Sequence, residues 1–407
     1  MRKSELPEEV IDEVKSFNCV LFTGGGITTE HYYRHTFLER MKEKCKYPKR
    51  AKNQSFPEVM QYYCQKLDGG KKNKLIREII EWIEVFSAEG EPNRVATAFF
   101  REIARIPFLR TIVTTNWGPF CERTLNVLVP MVEDRDIPFW DENKRQVLKI
   151  HGCVTRPQTI VATLEDYHVC MKDRSRGAIF TKLRDLMATK TFIFVGYSVQ
   201  DPDFKLIYDE VINNLGLFRR GAYAIDPKPT AESVMEWEKR GVRVLKISGI
   251  VFAWELVKRL EKDKLIPSKE LISFFEKQLL RIVDIHMETS EKQEISAGFA
   301  SSMYQDGLIH SLEHIVASSM TGKSMKDFNE ELNDYEKRVD ECWRAITRYE
   351  KKGTGGEPGH ALVEIAYWSG RVEALKRFIG NNKRDIPAFF SPLVLKPRKR
   401  IASLGNC

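Results

Sequence analysis

The sequence predicts an α/β fold, a doubly wound parallel sheet, followed by an all-helical C-terminal domain. Three observations predict it. Six short apolar, β-branched runs recur at intervals, and longer amphipathic stretches lie between them. After about Leu265 the strand signal stops and only helical patterns follow. A chain of 407 residues, 42% of them hydrophobic, is long and apolar enough to bury a sizeable core, which excludes the disordered and low-complexity classes.

The runs Val20–Thr23, Thr111–Thr115, Val147–Ile150, Thr191–Val195, Ala222–Ile225 and Val242–Ile247 each read as a strand buried on both faces. Helical patterns occupy Ser55–Leu67, Leu75–Ser87, Val95–Arg105, Phe120–Leu128, Ala178–Met187, Asp203–Leu215 and Ala231–Lys239. Such alternation implies right-handed crossovers, with ligands beyond the carboxyl ends of the strands. Helices are then expected over Ser268–Glu288, Leu308–Ser319, Phe328–Tyr349 and Ala361–Ile379, with a flexible turn at Lys352–Gly359 and a basic tail around Lys396–Arg400. The expected domains are residues 1–265, with a helical insertion near 31–110, and residues 266–407.

Polar and glycine residues gather at the strand ends. Thr23-Gly24-Gly25-Gly26-Ile27-Thr28 follows the first strand, and a helix can begin near Thr28 or Thr29. Glycines let the backbone approach a pyrophosphate, and the amides of a helix start attract anions. The full G-x-G-x-x-G pattern is not met, because Thr29 stands at the last glycine. Asn116 ends the second strand, where a carboxamide can hold a water and a ribose hydroxyl together. His151, followed by Gly152, ends the third and can act as a general base near neutral pH. Gly196, Ser198 and Asp201 follow the fourth strand, and Asp226 ends the fifth. Taken singly, each also fits a structural role: a tight turn, a helix cap, a packed histidine, a turn-starting aspartate.

Together, in chain order, these segments resemble the sirtuin family. Thr23–Thr28 resembles its Gly-Ala-Gly-Ile-Ser loop, Thr114-Thr115-Asn116 is similar to its Thr-Gln-Asn segment, Ile150-His151-Gly152 to its His-Gly, and Gly196-Tyr197-Ser198 to its Gly-Thr-Ser. Thr115-Asn116 followed by Glu122, and Gly196-Tyr197-Ser198 with Asp201-Pro202, are similar to bacterial sirtuin-like domains of antiphage defence proteins. The resemblance spans about residues 15–260 and does not reach the helical part. It departs from deacetylating sirtuins in three places. No cysteine pairing supports a zinc ribbon, Gly118 replaces an aspartate, and the Asp-Phe-Arg segment is unrecognisable in Glu30–Arg34.

The resemblance implies a Rossmann-like sirtuin domain that takes NAD+ as substrate, without zinc. NAD+ would be hydrolysed to nicotinamide and ADP-ribose, starving an infected cell in abortive infection. Asn116 would position the ribose or water and His151 would be the general base. Thr23, Gly24, Gly25, Gly26 and Thr28 would hold the pyrophosphate; Gly196, Ser198, Asp201 and Asp226 would bind elsewhere on the dinucleotide. Relatives of this kind form rings and pair with a HerA-like ATPase, so a homo-oligomer and such a partner are expected. The alternative is a nuclease or nucleic-acid-binding subunit of the same defence complex; a protein deacylase and a silent scaffold are further readings.

Remaining features bound the answer. The net charge of +8, from 65 basic and 57 acidic residues, is compatible with nucleotides or nucleic acid. The basic stretch Arg34–Lys52 reads either as a nucleic-acid contact or as a solvated face, with little aromatic interleaving. No apolar run approaches membrane-spanning length, and the N-terminus lacks a secretory pattern. The 8 cysteines, scattered without a Cys-x-x-Cys pair, are then expected as reduced thiols in the cytoplasm. His310-Ser-Leu-Glu313-His314 matches a zinc-protease pattern without an evident third ligand. Gly322-Lys323-Ser324 ends like a phosphate loop, but Ala317 stands where that loop needs glycine.

Overall fold

The computed structural model describes residues 6–27, 30–48, 55–87, 90–172, 177–197, 202–291, 296–352 and 358–390. The chain divides into two compact units, Met1–Lys258 and Arg259–Cys407.

The first unit is built on six strands: β1 (Cys19–Thr23), β2 (Thr111–Thr114), β3 (Gln146–Lys149), β4 (Thr191–Val195), β5 (Ala222–Ile225) and β6 (Val242–Leu245). All pairings are parallel and the order is β3-β2-β1-β4-β5-β6. This is the doubly wound order, with its switch point between β1 and β4. Every residue of β1 and β4 is buried, as expected of central strands covered on both faces. Expected burial on both faces fails most at one edge: in β6 Arg243 is exposed and Val244 and Leu245 are half-buried, whereas β2 and β5 each have one half-buried residue, Thr111 and Tyr223. An edge strand has one covered flank, so its residues need not all be apolar. The opposite edge, β3, is capped by Met131, whose N–H donates to Val147 O and whose carbonyl accepts from Lys149 N, both at 2.8 Å.

Helix α1 (Glu8–Lys15) precedes β1 and buries Val10, Ile11 and Val14. Four helices run between β1 and β2: α2 (Glu30–Cys45), α3 (Phe56–Leu67), α4 (Asn73–Ser87) and α5 (Glu91–Ala104). The apolar faces of α2, α3 and α4 meet in a cluster of Phe37, Met41, Val59, Met60, Leu75 and Ile79, which also takes in Ile160 and Ala162. After β2 comes α6 (Phe120–Thr124), shorter than the Phe120–Leu128 pattern suggests. Asn126 stops it by adopting a left-handed φ of 54°, while Val127 N donates to Glu122 O at 2.8 Å, a Schellman-type end. Helices α7 (Leu164–Lys172), α8 (Gly177–Thr189), α9 (Pro202–Leu215), α10 (Ala231–Lys239) and α11 (Gly249–Lys262) complete the order.

The second unit contains α12 (Lys269–Glu291), α13 (Ser296–Met320), α14 (Met325–Lys352) and α15 (Pro358–Ile379). Its core gathers Phe275, Leu308, Leu312, Ile315, Phe328 and Phe378, with the Phe328 and Phe378 rings 4.9 Å apart. Helices α13 and α15 cross closely because Gly307 lies on the Tyr367 carbonyl and Gly370 on the Tyr304 carbonyl, leaving no room for a Cβ at either. Ser324, from the Gly-Lys-Ser sequence, caps α14: its N–H donates to Asp327 Oδ2 at 2.8 Å and Asp327 N donates back to Ser324 Oγ at 3.2 Å. Lys323 of the same trio is paired with Glu331 and His314. The two histidines of the zinc-protease pattern have separate partners, Tyr367 OH for His310 and Glu331 for His314.

Candidate active site

The site is assembled from the loops that leave the carboxyl ends of the strands. At β1, the buried Thr23 carbonyl accepts from Thr115 N at 3.2 Å and from Thr114 Oγ1 at 3.1 Å, locking the ends of β1 and β2 together. Gly25–Ile27 then make one short 3-10 turn. Gly24 N donates to Val195 O at 3.1 Å and Gly26 N to Gly196 O at 3.0 Å. These two amides are therefore directed to the exit of β4. The glycines are needed for another reason. A Cβ on Gly24 would lie 2.6 Å from Gly196 O. One on Gly196, itself at φ 62°, would lie 2.5 Å from Ile27 N. Backbone rests on backbone at the switch point, and only glycine permits that approach.

Asn116 leaves β2 beside this turn. Its N–H donates to Thr114 Oγ1 at 3.1 Å and its side-chain Nδ2 donates to Gly24 O at 3.2 Å. The carboxamide is thus tied to the glycine turn.

His151 leaves β3 on the next strand. The β2–β3 register pairs Thr111 with Gln146 and Thr114 with Lys149; continued by two residues it sets Asn116 opposite His151. The two exits stay together beyond the strands: Ile150 N donates to Thr114 O at 3.1 Å and Val154 N to Trp117 O at 3.0 Å. Asn116 and His151 lie within the segments held by those bonds. His151 is 5% exposed, its carbonyl accepts from Val161 N at 3.0 Å, and its ring meets the Tyr167 ring edge-on at 5.1 Å. Gly152 turns the chain at φ 85° against the Thr159 carbonyl, with no space for a Cβ. The segment that covers His151 is anchored in turn by Asp166, whose Oδ2 accepts from Ala162 N and Thr163 N at 3.0 and 2.9 Å.

Asp226 stands at the end of β5, two strands from β1. Its Oδ1 accepts from Lys228 N at 2.9 Å, so the carboxylate closes a turn. Thr28, Ser198 and Asp201 lie outside the described residues. The structure therefore brings together Thr23, Gly24, Gly26, Asn116 and Gly196, with His151 on the adjoining strand.

Several participants escape a reading of the sequence. Gly249, first residue of α11, packs on the same turn: a Cβ there would be 2.8 Å from Val195 Cγ1 and 3.3 Å from Ile27 Cδ1. Lys149 is fully buried, with Nζ 2.7 Å from Gly118 O and 3.0 Å from Glu122 Oε1. Its signal is a lone charge inside the apolar run Val147–Ile150. In the basic stretch Arg34–Lys52, Arg40 and Lys44 both pair with Glu78 and Lys42 pairs with Glu39.

Residues 110–245 match the family described as SIR2-like domain. In that stretch the chain is similar to a SIR2-like domain. The matched span runs from just before β2 to the last residue of β6, and so contains Asn116, His151, Gly196 and Asp226; the glycine turn after β1 precedes it. The chain is also similar to a protein of Cytobacillus dafuensis named NAD(+) hydrolase ThsA, 25% identical over 228 residues. That similarity covers 54% of this chain and 43% of the relative, so the chain spans less than half the relative's length. Among the described residues no helix is long and apolar enough to cross a membrane.

Proposed function

We propose that the SIR2-like unit hydrolyses NAD+ to nicotinamide and ADP-ribose, as an effector of antiphage defence. The observation that carries this reading is the pairing of the Asn116 and His151 loops on adjacent strand ends, beside a glycine-built switch point. The relative named as an NAD(+) hydrolase supports the substrate.

The chemistry asks little of a protein. The bond between the ribose and nicotinamide breaks through an oxocarbenium-like state, and nicotinamide leaves neutral. One water supplies the new hydroxyl of ADP-ribose and gives up one proton. Asn116, its Nδ2 engaged with Gly24 O, offers its amide oxygen to the ribose hydroxyl or the water. His151 accepts the proton as general base. Thr23, Gly24, Gly25, Gly26 and Thr28 are assigned to holding the pyrophosphate. Because the Gly24 and Gly26 amides are turned to β4, their share in this is close approach rather than N–H donation. Ser198 and Asp226 are assigned to the adenosine, and Gly196 and Asp201 to other parts of NAD+. Orientation and exclusion of other nucleophiles supply the remaining rate enhancement.

A constantly active hydrolase of NAD+ would kill its host, so the activity is gated. The gating is assigned to residues 266–407, through self-association and a HerA-like ATPase, in the cytoplasm during abortive infection. The test follows nicotinamide release from NAD+ by the full chain, alone and with the co-expressed ATPase. His151→Ala is expected to lower turnover by about 10²–10⁴-fold, and Asn116→Ala to lower it as well. Wild-type turnover in both variants overturns the assignment.

A further inference from the structure

We infer that Lys149 and Glu122 are positioning residues: a buried ion pair that clamps the Asn116 loop onto the end of the strand that carries His151. The inference rests on the proposed NAD+ hydrolysis. Lys149 occupies the last position of β3, opposite Thr114 in the register and two residues before His151. Its side chain is completely buried and Glu122 nearly so, at 0% and 7% exposure. Nζ donates to Gly118 O at 2.7 Å and reaches Glu122 at 3.0 Å to Oε1 and 3.1 Å to Oε2. Glu122 sits in the first turn of α6, and its Oε1 also accepts the Cys153 thiol, at 3.7 Å. Thr155 Oγ1 donates to Cys153 Sγ at 3.1 Å. A single ammonium thus joins the segment two residues after Asn116 to a carboxylate that is itself held by the segment two residues after His151.

An apolar side chain would suit the position if burial were all that mattered, since Val147, Leu148 and Ile150 around it are buried hydrophobics. A buried ion pair seldom outperforms well-packed apolar residues in stability, because both charges lose their hydration. What it adds is geometry. Three directional contacts meet at one Nζ, and they fix the backbone that leads out of Asn116. The Val154–Trp117 backbone bond lies alongside and acts in the same sense. Small errors in placing a reacting group are felt strongly in rate while leaving binding of the distant parts of a substrate intact.

The test compares wild type with Glu122→Gln and with the double variant Lys149→Met/Glu122→Gln, in which no uncompensated charge remains buried. Steady-state nicotinamide release, thermal melting and amide hydrogen exchange of the segment from Asn116 to Phe120 are read on the full chain. The double variant is expected to melt close to wild type, to lose about 10–10²-fold in kcat with KM for NAD+ within about twofold, and to exchange faster at Asn116–Gly118. A double variant that keeps wild-type kcat overturns the inference, and so does unchanged exchange. Should the double variant fail to fold, Glu122→Gln decides alone. It retains an acceptor for Lys149, so a smaller fall in kcat with faster exchange supports the clamp, and no change in either overturns it. A wild-type chain that releases no nicotinamide overturns the hydrolase reading instead, and the exchange of Asn116–Gly118 then judges the clamp by itself.

Discussion

His151 leaves β3 with its carbonyl bonded to Val161 N, and the very next residue must turn the chain back before Cys153 N meets Thr159 Oγ1 at 3.1 Å. Gly152 does so at φ 85°, with the Thr159 carbonyl where a Cβ would be. Both conditions exclude side chains, one through backbone strain and the other through collision. Gly152→Ala is therefore expected to destabilise the chain by at least about 1–3 kcal/mol, the range for a non-glycine residue held in a sparsely populated conformation. It should also displace His151 and lower nicotinamide release. Denaturant titration beside the turnover assay checks this, and an alanine variant as stable as wild type would show that the loop relaxes freely. The thiols at this scale behave differently. Burial pushes Cys19, Cys64, Cys121 and Cys342 upward, Cys64 and Cys342 to about 11, so as neutral thiols they serve as small apolar groups rather than nucleophiles.

Among the elements, the meeting of α13 and α14 carries its own acid–base logic. Burial alone would raise the Glu331 carboxyl, but hydrogen bonds from His314 and Lys323, with their charges, hold it below its usual value. A carboxyl depressed in the folded state adds stability above the unfolded value, about pH 4.3, and loses it as pH falls through the folded value. Glu331→Gln should accordingly flatten the fall in stability below about pH 5 while lowering stability near neutrality; denaturation curves at several pH values read both effects. The elements also show what periodicity can and cannot convey. β1 and β4 are legible because strands covered on both faces must be apolar along their length. The edge position of β6, with Arg243 in solvent, is decided by which strand ends the sheet, and no local pattern states that. The early stop of α6 depends on one left-handed residue, Asn126. At the candidate site, glycines and polar residues at strand ends mark the loops themselves. That the Gly24 and Gly26 amides turn onto Val195 and Gly196 follows from β4 lying beside β1, a fact of topology. The Lys149–Glu122 pair joins residues on different elements, so spacing along the chain gives no hint of it.

At the scale of the whole molecule, each compact unit has a hydrophobic core of its own: one gathers Phe22, Phe194 and Trp237 around the sheet, the other Phe275, Phe328 and Phe378 among the helices. With separate cores, each unit is expected to unfold in its own cooperative transition, and a perturbation in one core should register chiefly in the unit that contains it. Phe328 is fully buried and touches Phe378, so Phe328→Ala is expected to weaken the helical unit by about 3–5 kcal/mol. NAD+ acts on the other side of the ledger. A ligand present at about 100 times its Kd stabilises the unit that binds it by about 2.7 kcal/mol, and the site proposed here lies wholly on the strand ends of the first unit. In calorimetry of Asn116→Ala/His151→Ala, where NAD+ should persist, the nucleotide is expected to raise the transition of the α/β unit and leave that of the helical unit in place. Phe328→Ala is expected to do the reverse, lowering the helical transition alone. Should NAD+ raise only the transition that Phe328→Ala lowers, the dinucleotide binds among the helices and the glycine turn has another use.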